Sequence, residues 1–365
     1  MKFSCVKENL ARAAGIAERF TGKNITLPIL ANLLLEVDGN NLRVTGTNLE
    51  YALETEVSGK GGGNGKVTVP AKVLSSLLQS LKEEKMELEG KNSNLFISTD
   101  SRRIRINGMS PDDFPLIPKI KKNLSFVIDS TLLKHGLEQV IPSVSTSEFK
   151  PELSGVQFLV GPKDLRLAST DTFRLAERTV PISERTKGDT SSFVVPQRVV
   201  LEVSRTLEEN EDVKISIGEN QVLVESGPTR VTARLIEGSF PEYSGIVPKS
   251  FEATCFISRQ DLISAIRSAS IFSSKIQEVS LNFSDKKLEI SSLNQEVGEN
   301  KSAIPLLFTG KETKISFNYR YLLDGLGSLM EDEIFLGVNG EASPSLLKEK
   351  SGGSFFYVLM PIRLS

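Results

Sequence analysis

The stretch that decides the fold is Thr68-Val69-Pro70-Ala71-Lys72, because a close copy of it returns as Val195-Pro196-Gln197-Arg198. Proline suits the first position of a helix, where its missing N–H removes no hydrogen bond. A third version, Phe317-Asn318-Tyr319-Arg320, has an asparagine that can cap the helix with its side chain. The copies recur at intervals of about 120 residues. A fixed interval of this kind indicates one structural unit repeated three times.

The residues around each copy repeat in the same order. Each repeat opens with a strand and an amphipathic helix, predicted over residues 6–20, 130–141 and 258–272, with Ser130 and Ser258 as N-caps. A hairpin follows, and then a second helix predicted over residues 74–81, 200–207 and 322–329. Phe-Pro pairs at 114–115 and 240–241 close the first two repeats. Three unrelated α+β domains would not share these details. The pattern predicts an α+β chain with domains at 1–122, 123–249 and 250–365, each with two helices on antiparallel sheets.

Composition limits the class of protein. The chain has 365 residues, 44 Lys and Arg against 46 Asp and Glu, and a formal net charge of -2. This balance does not by itself indicate nucleic-acid binding, although a local basic face can coexist with it. Two cysteines indicate a reducing compartment, and no apolar run is long enough to cross a membrane. With no apolar leader after Met1, we expect a cytoplasmic protein with no membrane partner.

Enzymatic motifs are weak or missing. The single histidine, His135, is expected on a solvated helix face, and the sequence has no metal-ligand spacing and no Gly-x-Ser-x-Gly elbow. The glycine-rich stretch at 59–67 has the wrong spacing for a phosphate loop and Val67 where Ser or Thr is needed, so we expect a flexible hairpin loop. We therefore predict no catalytic residue, no metal and no cofactor. An enzyme and a monomeric three-domain adaptor that binds protein peptides are two functions that the repeats and motifs alone leave open.

The repeated blocks also carry a family resemblance. They resemble the bacterial DNA sliding clamp, the beta subunit or processivity factor of the replicative DNA polymerase III holoenzyme, over essentially the whole chain. The blocks occur in the family's order at 1–3, 26–35, 45–50, 68–71, 168–176, 238–243, 316–318 and 357–364. The resemblance implies three tandem DNA-clamp domains and a head-to-tail homodimer that forms a six-domain ring. It also implies that the ring encircles double-stranded DNA without sequence specificity and has no chemistry of its own.

The resemblance implies a mildly basic helical lining for the ring. Sliding requires weak, sequence-blind contacts, because each neutralised phosphate adds affinity through counterion release. The DNA-facing candidates are Arg12, Arg19, Lys23, Lys72, Lys134, Arg198, Arg259, Arg267 and Arg320. Some family members place aromatic residues near DNA on a loop of the second domain. Because this chain has Glu148-Phe149-Lys150-Pro151-Glu152 there, no such contact is carried over to Pro151 or Glu152.

A cleft for partner peptides is the second implied site. The partners implied are the replicative polymerase catalytic subunit, the clamp loader, other polymerases, and mismatch-repair or ligase proteins with clamp-binding peptides. Matching positions are Leu153, Thr170, Phe173, Arg174, Leu175, Pro241, Ile246, Asn318, Tyr321, Met360, Pro361, Ile362 and Arg363. Adaptable Met and Pro side chains suit varied apolar peptides. Thr172 and Phe173 replace the family's usual Gly-His, and Gly245 replaces a common basic residue.

The third implied site is the seam between two chains. It joins the first domain of one chain to the third domain of the other, and this heterologous contact must close after two copies to avoid a filament. The predicted seam residues are Leu74, Leu78, Ile104 and Ile106 on one side, and Ile271 and Phe272 on the other. Glu296 and Glu299 are predicted on the same side of the seam as Ile271 and Phe272. On the other side, Arg103 and Arg105 alternate along the strand with Ile104 and Ile106.

Overall fold

The computed structural model describes residues 1–22, 26–147, 149–186, 190–284 and 286–363. Its three repeats have the same order of elements, nine strands and two helices each. The first contains β1 (Lys2–Val6), α1 (Lys7–Glu18), β2 (Asn32–Asp38), β3 (Asn41–Thr47), β4 (Tyr51–Ser58), β5 (Lys60–Gly63), β6 (Gly65–Pro70), α2 (Ala71–Ser80), β7 (Lys85–Lys91), β8 (Asn94–Ser98) and β9 (Arg103–Asn107). The internal repeat predicted from the sequence is confirmed.

The second and third repeats follow the same plan. The second contains β10 (Leu124–Asp129), α3 (Ser130–Val140), β11 (Gly155–Val160), β12 (Asp164–Thr170), β13 (Arg174–Pro181), β14 (Glu184–Arg185), β15 (Ser191–Pro196), α4 (Gln197–Thr206), β16 (Asp212–Ile217), β17 (Gln221–Ser226) and β18 (Thr229–Arg234). The third contains β19 (Ala253–Ser258), α5 (Arg259–Ser270), β20 (Glu278–Ser284), β21 (Lys287–Asn294), β22 (Gly298–Pro305), β23 (Phe308–Gly310), β24 (Thr313–Asn318), α6 (Tyr319–Gly327), β25 (Glu333–Val338), β26 (Ser345–Glu349) and β27 (Phe355–Leu359).

The chain divides into two compact units, and the second repeat contributes to both. Unit 1 comprises Met1–Thr131, Ile182–Gly188 and Arg205–Leu235. It has a five-stranded sheet, β5-β1-β7-β8-β9, and a nine-stranded sheet, β14-β10-β16-β17-β18-β4-β3-β2-β6. Strands β18 and β4 come from different repeats and pair antiparallel, with Val231 opposite Leu53. The nine-stranded sheet therefore runs without a break from one repeat into the next.

Unit 2 comprises Leu132–Pro181, Asp189–Ser204 and Ile236–Ser365. It has a nine-stranded sheet, β15-β11-β12-β13-β27-β26-β25-β19-β23, and a four-stranded sheet, β22-β21-β20-β24. Here β13 of the second repeat pairs antiparallel with β27 of the third, and Leu175 lies opposite Val358. The last strand of the chain thus completes a sheet that the second repeat began.

Each opening helix packs its apolar face against a sheet. Helix α1 buries Leu10, Ala13, Ala14 and Ala17, the residues that the helical spacing selects. Gly46 on β3 lets the strand and the helix approach closely, since a Cβ at this position would lie 2.4 Å from the carbonyl oxygen of Ala17. A side chain larger than hydrogen at position 46 would therefore separate the helix from the sheet.

Several local predictions need correction. The glycine-rich stretch at 59–67 is not a flexible loop: it forms β5, paired with β1, and the start of β6. Its glycines permit close backbone approach, because a Cβ on Gly61 would lie 1.8 Å from the carbonyl oxygen of Gly39.

The two predicted N-caps have different outcomes. Ser258 is confirmed as the N-cap of α5, its Oγ accepting from the amide of Asp261 at 3.3 Å. Ser130, by contrast, is the first residue of α3, and its Oγ accepts from the amide of Glu211 at 2.9 Å.

Candidate functional site

The candidate peptide cleft lies in unit 2, where β13 meets β27. Leu175 and Val358 pair across this junction and pack with Leu346 in a buried apolar cluster. Leu153 belongs to a second buried cluster with Ala168 and Phe240. Both predicted leucines are 3% exposed or less, so they form the packed floor of the site rather than its contact surface.

Arg174 is the most constrained side chain of the site. Its Nε donates to Oδ2 of Asp171 at 2.9 Å, and its Nη1 donates to Oδ2 of Asp324 on α6. Its guanidinium carbon lies 4.2 Å from the centre of the Tyr321 ring, a cation–π distance. Burial opposes the charge, but the hydroxyl of Tyr357 and the two carboxylates outweigh it and raise the pKa of Arg174. The arginine therefore stays charged and joins β13 to α6.

A tight turn before β13 presents Phe173 to solvent. Oδ1 of Asp171 accepts from the amides of Phe173 at 2.9 Å and Arg174 at 3.0 Å. Thr170 accepts from the Thr172 amide and donates to the Arg174 carbonyl oxygen at 2.6 Å. Thr172 adopts a φ of 78°, a left-handed conformation uncommon for threonine. These bonds hold the turn so that the Phe173 side chain remains 59% exposed.

The residues after β27 run across the same site. The Met360 amide donates to the carbonyl oxygen of Phe173 at 2.8 Å, and the Ile362 amide donates to that of Ser316 on β24 at 2.7 Å. Met360, Pro361 and Ile362 are half-buried. Main-chain bonds thus fix the segment, while part of each apolar side chain stays open to a ligand. Arg363 is exposed at its end.

The rim is completed by residues from two other segments. Pro241 is exposed and Ile246 is 49% exposed on the segment before β19. Tyr243 anchors that segment, because its hydroxyl donates to Oε2 of the buried Glu177 at 2.5 Å. Asn318 caps α6 by accepting from the Arg320 amide at 3.0 Å. The whole arrangement offers exposed apolar side chains above a rigid floor, which suits a short apolar peptide.

Asp171 and Asp324 are the residues of this site that the sequence-based analysis missed. The spacing of Asp171 and Arg174 could have suggested a turn stabilised by an aspartate. Asp324 lies 150 residues from Arg174 in the chain. No local pattern connects the two positions, so only the tertiary structure reveals their ion pair.

The predicted DNA-facing residues lie in different environments. Lys72, Arg198, Arg267 and Arg320 are exposed on the helices. Arg12 is also exposed, but its Nη1 lies 2.5 Å from Oε1 of Glu208. Lys134 and Arg19 are half-buried, and Lys23 lies outside the described residues.

Arg259 has a structural contact that the sequence did not suggest. Its Nε donates to the carbonyl oxygen of Glu331 at 3.1 Å, and its Nη1 donates to that of Leu326 at 3.5 Å. A cation near the end of α6 is favourable, since the last carbonyl groups of a helix carry partial negative charge. Part of this side chain therefore stabilises the fold of the third repeat.

The predicted seam needs a correction on its first side. Leu74 and Leu78 have no exposed surface and Ile106 is 5% exposed, so these three side chains belong to the core of unit 1. Leu74 and Leu78 lie on the inward face of α2, and Ile106 lies on the inward face of β9, where successive side chains alternate between the two faces. Ile104 is half-buried, Phe272 is half-buried and Ile271 is 71% exposed. These three remain available to a partner.

Three such repeats in one chain define the DNA-clamp class of protein. Family models for the N-terminal, central and C-terminal domains of the DNA polymerase III beta subunit match residues 1–118, 127–242 and 244–363. The chain belongs to this family, the bacterial sliding clamps, and is a DNA polymerase processivity factor.

Relatives match the chain from end to end. The beta sliding clamp of Synechocystis is 28% identical, and that of Pseudomonas putida is also 28% identical, each over 100% of both chains. The crystal structure of the Bacillus subtilis sliding clamp superposes with a TM-score of 0.93 at 26% identity. A Pseudomonas aeruginosa sliding clamp bound to griselimycin gives 0.95 at 27% identity. In both comparisons the matched region covers 100% of this chain and 100% of the other chain.

No group of three or more His, Cys, Asp or Glu residues in the described part of the chain could hold a metal ion. No helix there is long and apolar enough to cross a membrane. Both cysteines are buried, and burial raises the pKa of Cys5 to about 11 and that of Cys255 to about 12.

Proposed function

We propose that two copies of the chain associate head to tail into a six-domain ring that encircles double-stranded DNA. The observation that carries this proposal is that two sheet edges, one in each unit, have no partner strand among the described residues. Strand β9 is the last strand of the five-stranded sheet, and β22 is the last strand of the four-stranded sheet. Arg103 and Arg105 are exposed on β9, and β22 exposes Glu299 together with Lys301, whose Nζ lies 3.7 Å from Oε2 of Glu299.

Pairing these edges would satisfy the backbone groups that each leaves open, which otherwise promote aggregation. The exposed Ile271 lies close to this seam, because Phe272 beside it packs 3.6 Å from the Cβ position of Gly298 on β22. Since the two edges differ, the contact is heterologous, and closure after two copies yields a ring of three domains from each chain. The domains are taken as 1–122, 123–249 and 250–365.

The ring slides without sequence specificity and performs no chemistry. Exposed Lys72, Arg198, Arg267 and Arg320 are suited to weak phosphate contacts, because side chains on a solvated surface hold an anion loosely. The cleft around Arg174 binds apolar peptides of the replicative polymerase, the clamp loader, and other polymerase, mismatch-repair or ligase proteins. The chain acts in the cytoplasm, as its two unpaired cysteines favour.

Encirclement is tested by topology rather than by affinity. The clamp is loaded onto nicked circular DNA, the circle is cut once with a restriction enzyme, and the bound fraction is followed by gel filtration. A ring remains on the circle and leaves the linear DNA through its ends. Equal retention on both forms would show ordinary affinity and would contradict encirclement.

A further inference from the structure

We propose that Glu208 is a positioning residue for DNA contact, which holds Arg12 in an ion pair and so keeps one positive charge away from the phosphates of the duplex. The inference rests on the proposed ring, in which the helices line the hole. Arg12 lies on α1, and Glu208 lies two residues beyond the end of α4. Both residues belong to unit 1.

Arg12 lies on the solvent face of α1. The buried residues of this helix, Leu10 to Ala17, form one stripe that packs against the sheet. Successive residues of a helix are turned by about 100°, which places Arg12 on the side opposite to that stripe. Its side chain is 59% exposed. A guanidinium in this position is accessible to the phosphate oxygens of a duplex that passes along the helices.

An ion pair across two repeats engages this guanidinium. Nη1 of Arg12 lies 2.5 Å from Oε1 of Glu208, although the two residues are 196 positions apart in the chain. Lys72 and Arg267 are exposed on other helices, and neither forms an ion pair with a carboxylate among the described residues. The first repeat therefore offers DNA one untethered cation and one tethered cation.

The surroundings of Arg12 single out Glu208 as its competitor for phosphate. A cleft within unit 1 brings Arg12 together with Glu56, Glu208 and Glu211. Oε2 of Glu211 accepts from a serine hydroxyl at 3.0 Å, and Oε1 of Glu56 lies 3.6 Å from Nη2 of Arg43. These two carboxylates have other partners, but their charge adds to a negative potential that opposes the approach of a phosphate.

The physical basis is the exchange of one ion pair for another. A cation that neutralises a phosphate gains affinity through counterion release. In this chain the phosphate must first displace Glu208, whose charge then lies beside the polyanion without a partner and is repelled by it. The repulsion offsets the gain from counterion release. Arg12 therefore adds little affinity for DNA, and the ring slides more easily than it would with a free arginine at this position.

The test is a double-mutant cycle on the full-length chain, with a blunt-ended, fluorescein-labelled duplex as the probe. Affinity is measured by anisotropy between about 50 and 200 mM salt. In Glu208→Gln the released arginine should add one phosphate contact, which steepens the slope of log K against log salt by about 0.9. Over this range of salt the variant should lose about threefold more affinity than the wild type. Arg12→Gln alone, and Arg12→Gln combined with Glu208→Gln, should both keep the wild-type slope.

Glu209→Gln is the matched control, because Glu209 is exposed, carries the same charge and lies one position further along the chain. It should leave the slope unchanged. Equal effects of Glu208→Gln and Glu209→Gln would show a general effect of charge and would overturn the proposal. The proposal is also overturned if Arg12→Gln flattens the slope as much in the wild-type chain as in Glu208→Gln, since Arg12 would then contact phosphate directly. An exposed ion pair contributes little to stability, so circular dichroism should show the same thermal unfolding for all variants.

Retention on DNA separates this inference from the ring itself. Wild type and variants are also loaded onto nicked circles, as in the test of encirclement. A wild-type chain that is retained on circles, lost from linear DNA and shows no coupling between Arg12 and Glu208 overturns this inference alone. A wild-type chain that is retained equally on both forms overturns the ring, and this inference with it. On stretched DNA, the Glu208→Gln ring should diffuse more slowly than the wild type, and the double variant should diffuse at the wild-type rate.

Discussion

Arg174 is fixed on three sides, by Asp171, by Asp324 and by the ring of Tyr321. Its side chain and that of Asp171 are only 10% and 13% exposed. Ion pairs at this depth differ from surface pairs, because removal of one partner leaves the other charge without compensation. The arginine therefore determines both the shape of the turn that presents Phe173 and the position of α6.

We predict that Arg174→Ala weakens binding of a clamp-binding peptide tenfold or more and lowers the melting temperature. The stability loss should be about 1–3 kcal/mol, the cost of leaving a buried polar group without its partner. Arg174→Lys should restore little, since an ammonium cannot bridge two carboxylates while stacking on a ring. Fluorescence anisotropy of a labelled peptide and thermal denaturation measure the two effects. Arg230→Ala, at a 58% exposed arginine, is the control; an equal effect there would refute the assignment.

The two cysteines give a prediction about reactivity. Cys5 and Cys255 are buried, and burial raises their pKa to about 11 and about 12. The thiolate is the reactive form, so both should resist iodoacetamide at pH 8 in the folded chain. The urea-unfolded chain should react at both positions, as mass spectrometry would show. Rapid labelling of the folded chain would contradict the burial of the two thiols.

At the scale of elements, the opening helices differ in how they begin. Ser258 caps α5 through its side chain, whereas Val6 precedes α1 and offers no side-chain cap. We predict that Ser258→Ala lowers the stability of the chain by about 1 kcal/mol, the usual value of an N-cap. Urea denaturation followed by circular dichroism measures the loss. Ser268→Ala, at an exposed position within the same helix, should have a smaller effect; the opposite order would contradict the capping role.

The elements themselves were largely predictable from the sequence, because apolar spacing and the Val-Pro helix starts act locally. Helix α2, Ala71–Ser80, begins three residues before its predicted start at Leu74, and Pro70 is its N-cap rather than its first residue. Which side of an element faces inward was less predictable. Leu74 and Leu78 are core residues because they share the inward face of α2, and an apolar stripe alone does not distinguish a core from an interface.

Pairings between segments that are distant in the chain could not be predicted from local sequence patterns. The antiparallel pairing of β13 with β27 joins residues 174–178 to 355–359, and the ion pair of Arg174 with Asp324 follows from that geometry. The glycine content of β5 is typical of a loop, so the strand was not predicted from the sequence. The close approach of these glycines to Gly39 is set by a neighbouring strand turn rather than by their own sequence.

At the scale of the whole molecule, each unit contains a nine-stranded sheet shared by two repeats, while β9 and β22 remain unpaired edges. Within each unit the neighbouring repeats are therefore joined by a shared sheet, and β9 and β22 are two of the sheet edges that a further strand could extend. In the head-to-tail ring that we propose, these two edges pair with each other. A monomeric adaptor would leave both edges open to solvent, where exposed strands promote aggregation.

We predict that Ile271→Ala combined with Phe272→Ala opens the seam. Large apolar residues at the centre of an interface each contribute about 2 kcal/mol or more, so the loss of both, about 4 kcal/mol, should raise the dimer dissociation constant about 700-fold or more. Light scattering and sedimentation over a range of concentrations measure it. Ile276→Ala, at a 54% exposed isoleucine five positions further on, is the matched control and should leave the constant unchanged. An unchanged constant in the double variant would refute this seam, and a wild-type mass of one chain at all concentrations would favour the monomeric adaptor.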